Sequence, residues 1–288
     1  TKLDRPLYGL RQGSSCFFTN LRTFLVKFGF VQSKQDPCVF TYIKNGVSCI
    51  LGTHVDDLLV ASTKGFFQDI LVPAAEKYFP HGVKHGPAEQ FLGCIITNDV
   101  EKKEVRLSQK GRIIKLKEMF NITRQSDMPL PPKYKQEELF GINSLSIEEE
   151  DKEKCLNKVN GDAELPLFAN YNEIKTYYRS YTGNLVYLAT CGRPDIQAIV
   201  YRMARYQENP GYLHIKAVRH IIQYLVYTQE RELVFGRQKM AEILVTHSDS
   251  SFADCPATGR STGGYIHYLF GNYLSSRSFK INCVTRLV

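Results

Sequence analysis

The sequence predicts an α+β fold built on antiparallel sheet, and three observations carry that prediction. Residues 38–43 and 48–53 are β-branched, strand-like runs joined by Lys44-Asn45-Gly46, and Asn-Gly is a strong two-residue hairpin signal. Residues 48–53 and 58–62 both read as buried strands, and between them Asp56-Asp57 reads as a second tight turn. Elsewhere apolar residues recur at three- and four-residue spacing, the period of an amphipathic helix. Hairpins that follow one another, and helices grouped in runs of their own, place the chain among α+β folds.

In chain order, residues 14–28 form the first expected helix, with Phe17, Leu21, Phe24, Leu25 and Phe28 on one face and Gly29 as its stop. Asp36-Pro37 reads as a turn before the first hairpin. Residues 66–79 read as helical, with Pro73 a weak point because its ring removes a backbone donor. Residues 91–97 and 104–107 form another hairpin around a charged turn. Ser108 then caps a helix to about residue 120, with Ile113, Leu116 and Phe120 inward and Lys110, Arg112, Lys115 and Lys117 mostly off that face. From 128 to about 169 the periodicity fails. Pro129, Pro131 and Pro132 open the stretch and Glu148-Glu149-Glu150-Asp151 sits inside it, so it reads as a flexible acidic linker or insert. Helices are expected again at 177–189, from Arg193-Pro194-Asp195 onward, and at 214–227. The period then changes to strands at 242–247, 262–269 and 273–276. The expected organisation is 1–127, 128–176 as the acidic insert, 177–239 as a helical block, and 240–288 as a strand block.

The chain has 288 residues, 43% of them hydrophobic, which is enough for packed cores and excludes wholesale disorder. Its formal charge is +8. Residues 133–164 hold nine acidic and five basic residues, a net of −4, which leaves +12 on the rest. That imbalance points the globular parts toward a polyanion such as nucleic acid. The eight cysteines form no CxxC pair and no His lies at zinc-finger spacing from one, so reduced thiols in an intracellular protein are expected. No apolar stretch reaches the length that spans a bilayer. An adjacent carboxylate pair on a rigid hairpin has the oxygen donors a hard divalent cation needs, although Asp is also a common turn residue.

Read together, several segments resemble one family. Leu7-Tyr8-Gly9-Leu10-Arg11-Gln12, Ser33-Lys34-Gln35-Asp36-Pro37-Cys38-Val39-Phe40, His54-Val55-Asp56-Asp57 and Phe91-Leu92-Gly93 resemble, in order, the reverse transcriptase of copia-type LTR retrotransposons. Gly183-Asn184-Leu185-Val186-Tyr187-Leu188 and Arg193-Pro194-Asp195-Ile196 look like that family's segment between polymerase and RNase H. His247-Ser248-Asp249-Ser250-Ser251-Phe252-Ala253 looks like the start of its RNase H domain. The resemblance implies a partial palm, a helical thumb and connection, and the first strands of an RNase H-like domain. It implies RNA-directed DNA synthesis with Mg2+, deoxynucleotides and an RNA/DNA primer-template, within a larger polyprotein in the cytoplasm or nucleus and not secreted.

The resemblance also implies roles. Asp56 and Asp57 match the metal-binding carboxylates of the YxDD hairpin, and Asp249 the first metal carboxylate of RNase H. Gln12 and Gly13 match the helix start beside nucleotide and template. Phe91, Leu92 and Gly93 match the hairpin that positions the primer end. Lys110, Arg112, Lys115 and Lys117 would contact backbone phosphate. Without the family, Gln12 reads as an ordinary helix-start residue, Phe91 and Leu92 as core strand residues, Asp249 as a turn residue, the cations as a solvated face, and His214 and His220 as surface or packing residues rather than metal ligands.

Departures from the family pattern bear on activity. His54 stands where the motif has Tyr, Gly13-Ser14-Ser15 replace Ala-Pro-Arg, and Phe17, Phe252 and Ser276 stand where Trp is expected. The family's other palm Asp falls before residue 1 and its later RNase H carboxylates fall after Val288, so the chain alone is expected to be inactive or weak. The rival expectation is a non-catalytic nucleic-acid-binding module or a decayed or co-opted remnant of such an element.

Overall fold

Backbone pairing in the first ninety residues follows directly from the turns. In the computed structural model, which describes residues 13–80, 82–131, 134, 136–141, 148–236, 242–256 and 258–282, strands β1 (Val31–Gln32), β2 (Val39–Lys44), β3 (Val47–His54) and β4 (Asp57–Ser62) form an antiparallel meander in the order β1-β2-β3-β4. Asn45 (φ 53°) and Gly46 (φ 77°) both take the left-handed conformation that a primed two-residue turn requires, which explains why Asn-Gly stands there. The Asp36 carboxylate accepts the Cys38 N–H at 2.9 Å, a turn of the kind expected at Asp36-Pro37.

Helix α1 (Gly13–Phe28) covers one face of this sheet with Leu21, Phe24 and Leu25, which meet Phe40, Cys49 and Leu51 in a core completed by Phe66 and Leu71. The other face is open, so β3 alternates: Cys49, Leu51 and Thr53 are buried, while Ser48, Ile50 and His54 are exposed. Residues 48–53 and 58–62 were expected to be buried runs, and this is a correction. A sheet covered on one side alternates rather than burying every residue. β4 is also the sheet edge, and Asp57 and Leu58 are exposed. The single helix expected over 66–79 is two pieces, a π-turn segment at Phe66–Leu71 and then α2 (Val72–Tyr78). Pro73 lacks an N–H and its ring crowds the carbonyl four residues back; it is tolerated because it falls in the first turn of α2.

The chain divides into two compact units, Thr1–Leu92 and Gly93–Val288. In the second unit β6 (Cys94–Asp99) and β7 (Glu104–Ser108) pair as expected, with the Asp99 carboxylate accepting the Lys102 N–H at 3.0 Å in the turn. The strand expected over 91–97 is interrupted: β5 (Gln90–Phe91) ends before Leu92 (φ 50°) and Gly93 (φ 72°), which turn the backbone into β6. A third strand, β8 (Glu232–Gly236), pairs along β7 from far down the chain and has no counterpart in the sequence reading.

Helix α3 (Lys110–Met119) buries Ile113 and Leu116, and Phe120 just after it, as its periodicity requires. Ser108 is the last residue of β7 and its hydroxyl accepts the Lys110 N–H at 3.3 Å, so the helix begins slightly later than expected. Around α3 stand α4 (Gln136–Phe140), α5 (Glu149–Asn160), α6 (Tyr171–Cys191), α7 (Gln197–Met203) and α8 (Tyr212–Tyr227). The remaining strands β9 (Leu244–Ser251), β10 (Thr262–Leu269) and β11 (Asn272–Lys280) form an antiparallel sheet in the order β11-β10-β9.

The acidic stretch is the largest correction to the sequence reading. Over its described residues it is not a flexible linker: Leu139, Phe140, Cys155, Val159 and Leu165 all join the core with α6 and α8. Charge density misled, because the acidic side chains of α5 project outward while one stripe faces inward. The carboxylates of Asp162 and Glu164 accept from Lys216 on α8 at 2.8 and 2.9 Å.

His214 pins α4 to α8 and is buried, which resolves the sequence alternatives of surface or packing in favour of packing. Its Nδ1 accepts the Gly211 N–H at 2.9 Å and its Nε2 lies 2.7 Å from the Leu139 carbonyl, which together fix the tautomer with the proton on Nε2. Burial lowers its pKa from 6.5 to about 4, against the raising effect of the Leu139 carbonyl. The folded state therefore prefers neutral imidazole: the contribution is fully present above pH 6.5 and is lost as pH falls toward 4. Unfolding free energies from denaturant titrations at pH 7.5 and pH 4.5 should differ by roughly 2–3 kcal/mol from this group, and His214→Gln should flatten that interval.

Candidate functional site

The carboxylate pair lies on the β3–β4 hairpin. His54 pairs with Asp57 across the ladder, so the loop is the two residues Val55 and Asp56. Val55 has φ 55°. A β-branched side chain crowds its own backbone in that region, and non-glycine residues there mark strain that the surrounding structure must hold. The turn thus presents two neighbouring carboxylates, both exposed, with His54 exposed beside them. Beneath it Thr53 is buried, and among the described residues its hydroxyl finds no hydrogen-bond partner. Val55→Gly should relieve the turn and raise unfolding stability by up to about 1 kcal/mol in a urea titration. A fall in stability would mean that the turn is not strained.

The donor chemistry of this turn suits a hard cation. Mg2+ binds through one or two carboxylates and fills its remaining positions with water or phosphate oxygen. Among the described residues no group of three or more His, Cys, Asp or Glu side chains is positioned to hold a metal, so Asp56 and Asp57 stand as a pair without a third ligand.

The other sequence candidates separate by unit. Phe91 is half-buried and Leu92 exposed at the end of the first unit. Gly93 opens the second unit, and a Cβ on it would sit 3.2 Å from the Tyr187 hydroxyl. That hydroxyl is held above its usual range by burial and by the neighbouring Cys191 and Cys94 thiols. Arg112, expected to face solvent and phosphate, lies with its guanidinium 3.9 Å over the Tyr187 ring and donates to the Asn184 side-chain carbonyl at 3.3 Å. Its Nε is buried and has no hydrogen-bond partner among the described residues. Lys110 reaches Glu230 at 2.6 Å. Lys115 and Lys117 are exposed, and among the described residues neither has an ion-pair partner. Asp249 sits exposed on β9 opposite Gly264, with its carboxylate accepting the Ser250 N–H at 2.8 Å. Gln12 lies outside the described residues, and Gly13 is the first residue of α1.

Sequence reasoning singled out the segment that contains Asn184 and Tyr187 but gave neither a role. Their partnership with Arg112 joins α3 to α6 across more than seventy positions, so no local spacing announces it.

Comparison with known proteins gives a consistent result. Residues 1–133 match the family described as reverse transcriptase (RNA-dependent DNA polymerase). The chain is 30% identical over 285 residues to the retrovirus-related Pol polyprotein from transposon TNT 1-94 of Nicotiana tabacum, covering 98% of this chain and 20% of the relative. It is 27% identical over 294 residues to the retrovirus-related Pol polyprotein from transposon RE1 of Arabidopsis thaliana, covering 99% and 17%. It is 25% identical over 286 residues to the putative transposon Ty5-1 protein of Saccharomyces cerevisiae, covering 96% and 81%. The chain therefore spans about a fifth of the first two relatives. No solved structure matches it. No helix among the described residues is long and apolar enough to cross a membrane.

Proposed function

Since the chain belongs to the reverse transcriptase region of copia-type retrotransposon polyproteins, we propose that it supplies the metal-binding hairpin and the primer-handling surface of an RNA-directed DNA polymerase. The observation that carries this reading is the strained two-residue turn that exposes Asp56 and Asp57 side by side. Asp56 and Asp57 are the residues that would hold Mg2+, whose chemistry there would be compensation of the charge that develops in phosphoryl transfer. The chain's own residues orient and position. Asp56 and Asp57 offer oxygen donors, and His54 lines the same turn where the family has Tyr. Phe91, Leu92 and Gly93 would set the primer end. Asp249 would begin a second carboxylate site, that of an RNase H-like sheet. The third carboxylate of the polymerase site comes from outside the described residues, and the rest of the polyprotein is the natural partner, inside the cell. The test is primer extension on an RNA template by the chain joined to the region that precedes it in a related polyprotein. Extension is expected, and His54→Tyr should raise it. A fusion that binds primer-template yet extends nothing, with or without His54→Tyr, contradicts the enzyme reading.

A second reading, nucleic-acid binding without catalysis, is favoured by His54 at the motif's Tyr position. Both readings share one electrostatic expectation. Lys115 and Lys117 are the α3 cations available to phosphate, since Arg112 is stacked on Tyr187 and Lys110 is paired. Neutralising Lys115 and Lys117 should weaken duplex binding uniformly across sequences. It should also lower the slope of log affinity against log salt by about 2, or about 1 for each phosphate no longer neutralised. Binding that ignores salt contradicts the polyanion argument.

A further inference from the structure

The start of β6 carries chemistry that the carboxylate hairpin does not use. Cys94, its first residue, is buried, and its Sγ donates to the carbonyl oxygen of Cys191 at 3.5 Å. Gln109 Nε2 donates to the same sulfur at 2.9 Å. A carbonyl oxygen lies about 2.4 Å from its own Cα, so the Cys94 sulfur is within about 6 Å of the Cys191 Cα. The two thiols influence one another and share a neighbour, the Tyr187 hydroxyl one turn before Cys191. Cys191 ends α6 and is partly exposed; Cys94 is shielded.

We propose that Cys94 and Cys191 are a peroxide-sensitive dithiol that closes to an intramolecular disulfide, fastening the start of β6 to the end of α6. The chemistry divides by access. Peroxide meets Cys191 first, since burial pushes the Cys94 thiol up and removes it from solvent. The Cys191 thiolate attacks one oxygen of hydrogen peroxide and the O–O bond breaks. Hydroxide leaves and a sulfenic acid remains. The Cys94 sulfur then attacks the sulfenyl sulfur and the S–O bond breaks. The hydroxide released takes the Cys94 proton and departs as water. Overall two thiols are oxidised, one peroxide is reduced, and two waters form.

Gly93 immediately precedes Cys94 and rests against Tyr187, so the cross-link would hold the backbone that the polymerase reading assigns to the primer end. The dithiol itself does not depend on that reading. The test uses the full chain, treated with hydrogen peroxide, alkylated, digested without reduction and mapped by mass spectrometry. The expected product has lost two hydrogens and yields a peptide pair joining Cys94 to Cys191. Cys191→Ser, a change at a partly exposed site, should abolish that pair. Cys94→Ser should leave a sulfenic acid on Cys191 that dimedone traps. The proposal is overturned if both thiols stay alkylatable after the exposed Cys16 and Cys38 have oxidised. It is equally overturned if the loss maps to another pair, or if wild-type Cys191 rests as a sulfenic acid with no disulfide.

Discussion

Asp56→Asn is expected, under the proposed function, to lower primer extension by the chain joined to the preceding region of a related polyprotein by at least about 10²–10³-fold, the size of effect seen when one preorganised charge-stabilising group is removed from an active site. The substitution keeps the shape and a carbonyl oxygen but removes the negative charge that, in the proposed function, would draw a divalent cation to the turn. The hairpin itself should persist, because its register is fixed by backbone pairing from His54↔Asp57 down to Cys49↔Ser62 and Asp56 contributes no side-chain bond to it among the described residues. Loss of extension with unchanged thermal unfolding and unchanged duplex binding is therefore the signature. Asp57→Asn should behave alike. Retained extension in either variant would remove that carboxylate from the metal site.

The second large effect is on stability. Arg193→Ala should cost about 3–5 kcal/mol, the usual result of breaking a buried ion pair from one side. Arg193 is 2% exposed and spends its whole guanidinium internally. It grips Asp195 through two bonds at 3.0 and 2.8 Å and reaches the Thr228 carbonyl at 3.2 Å and its hydroxyl at 2.6 Å. That ties the entrance of α7 to the exit of α8, where the chain leaves for β8. Truncation removes the fork from Asp195, leaving it the Tyr224 hydroxyl at 2.8 Å and Arg231 at 3.7 Å, and takes the buried donors from Thr228. Arg193→Lys should recover only part of the loss, since an ammonium cannot make the fork. Burial pushes the Asp195 pKa up, but the Arg193 and Tyr224 bonds outweigh it and hold it below its usual 3.8. Its contribution is therefore present above that value and disappears as pH falls through the lower folded one. Guanidinium titration of wild type and both variants at neutral pH measures the cost, and a loss under about 1 kcal/mol would place the pair among surface-like ion pairs.

Where sequence and structure agree, the signal was local. Asn45-Gly46 specifies its own turn, and α1 and α8 repeat their apolar residues often enough to be read without a partner. His54–Asp57 was legible as a hairpin for the same reason. Its strain was not, because no residue type announces that a valine will occupy the left-handed region. The misreadings are non-local. β8 is only Glu232–Gly236, and its pairing with β7 crosses more than a hundred positions. The acidic segment was read from its charge, yet Cys155 and Val159, four apart on α5, were the available sign of a buried stripe. Arg112 was given a phosphate contact by the family resemblance, and its helix face alone read as solvated. Only folding brings Tyr187 and Asn184 beneath it, which turns a charge expected to meet phosphate into part of the seat for Gly93.

The central claim is that the β3–β4 hairpin is where this chain takes a divalent cation. Manganese added to the isotopically labelled chain, read as paramagnetic broadening of backbone amide resonances, tests it most directly. The account predicts broadening centred on Val55, Asp56, Asp57 and Leu58, weakened when either aspartate becomes asparagine. Broadening centred on the acidic turn of α5 at Glu149, Glu150 and Asp151, with the hairpin resonances unchanged, would contradict it.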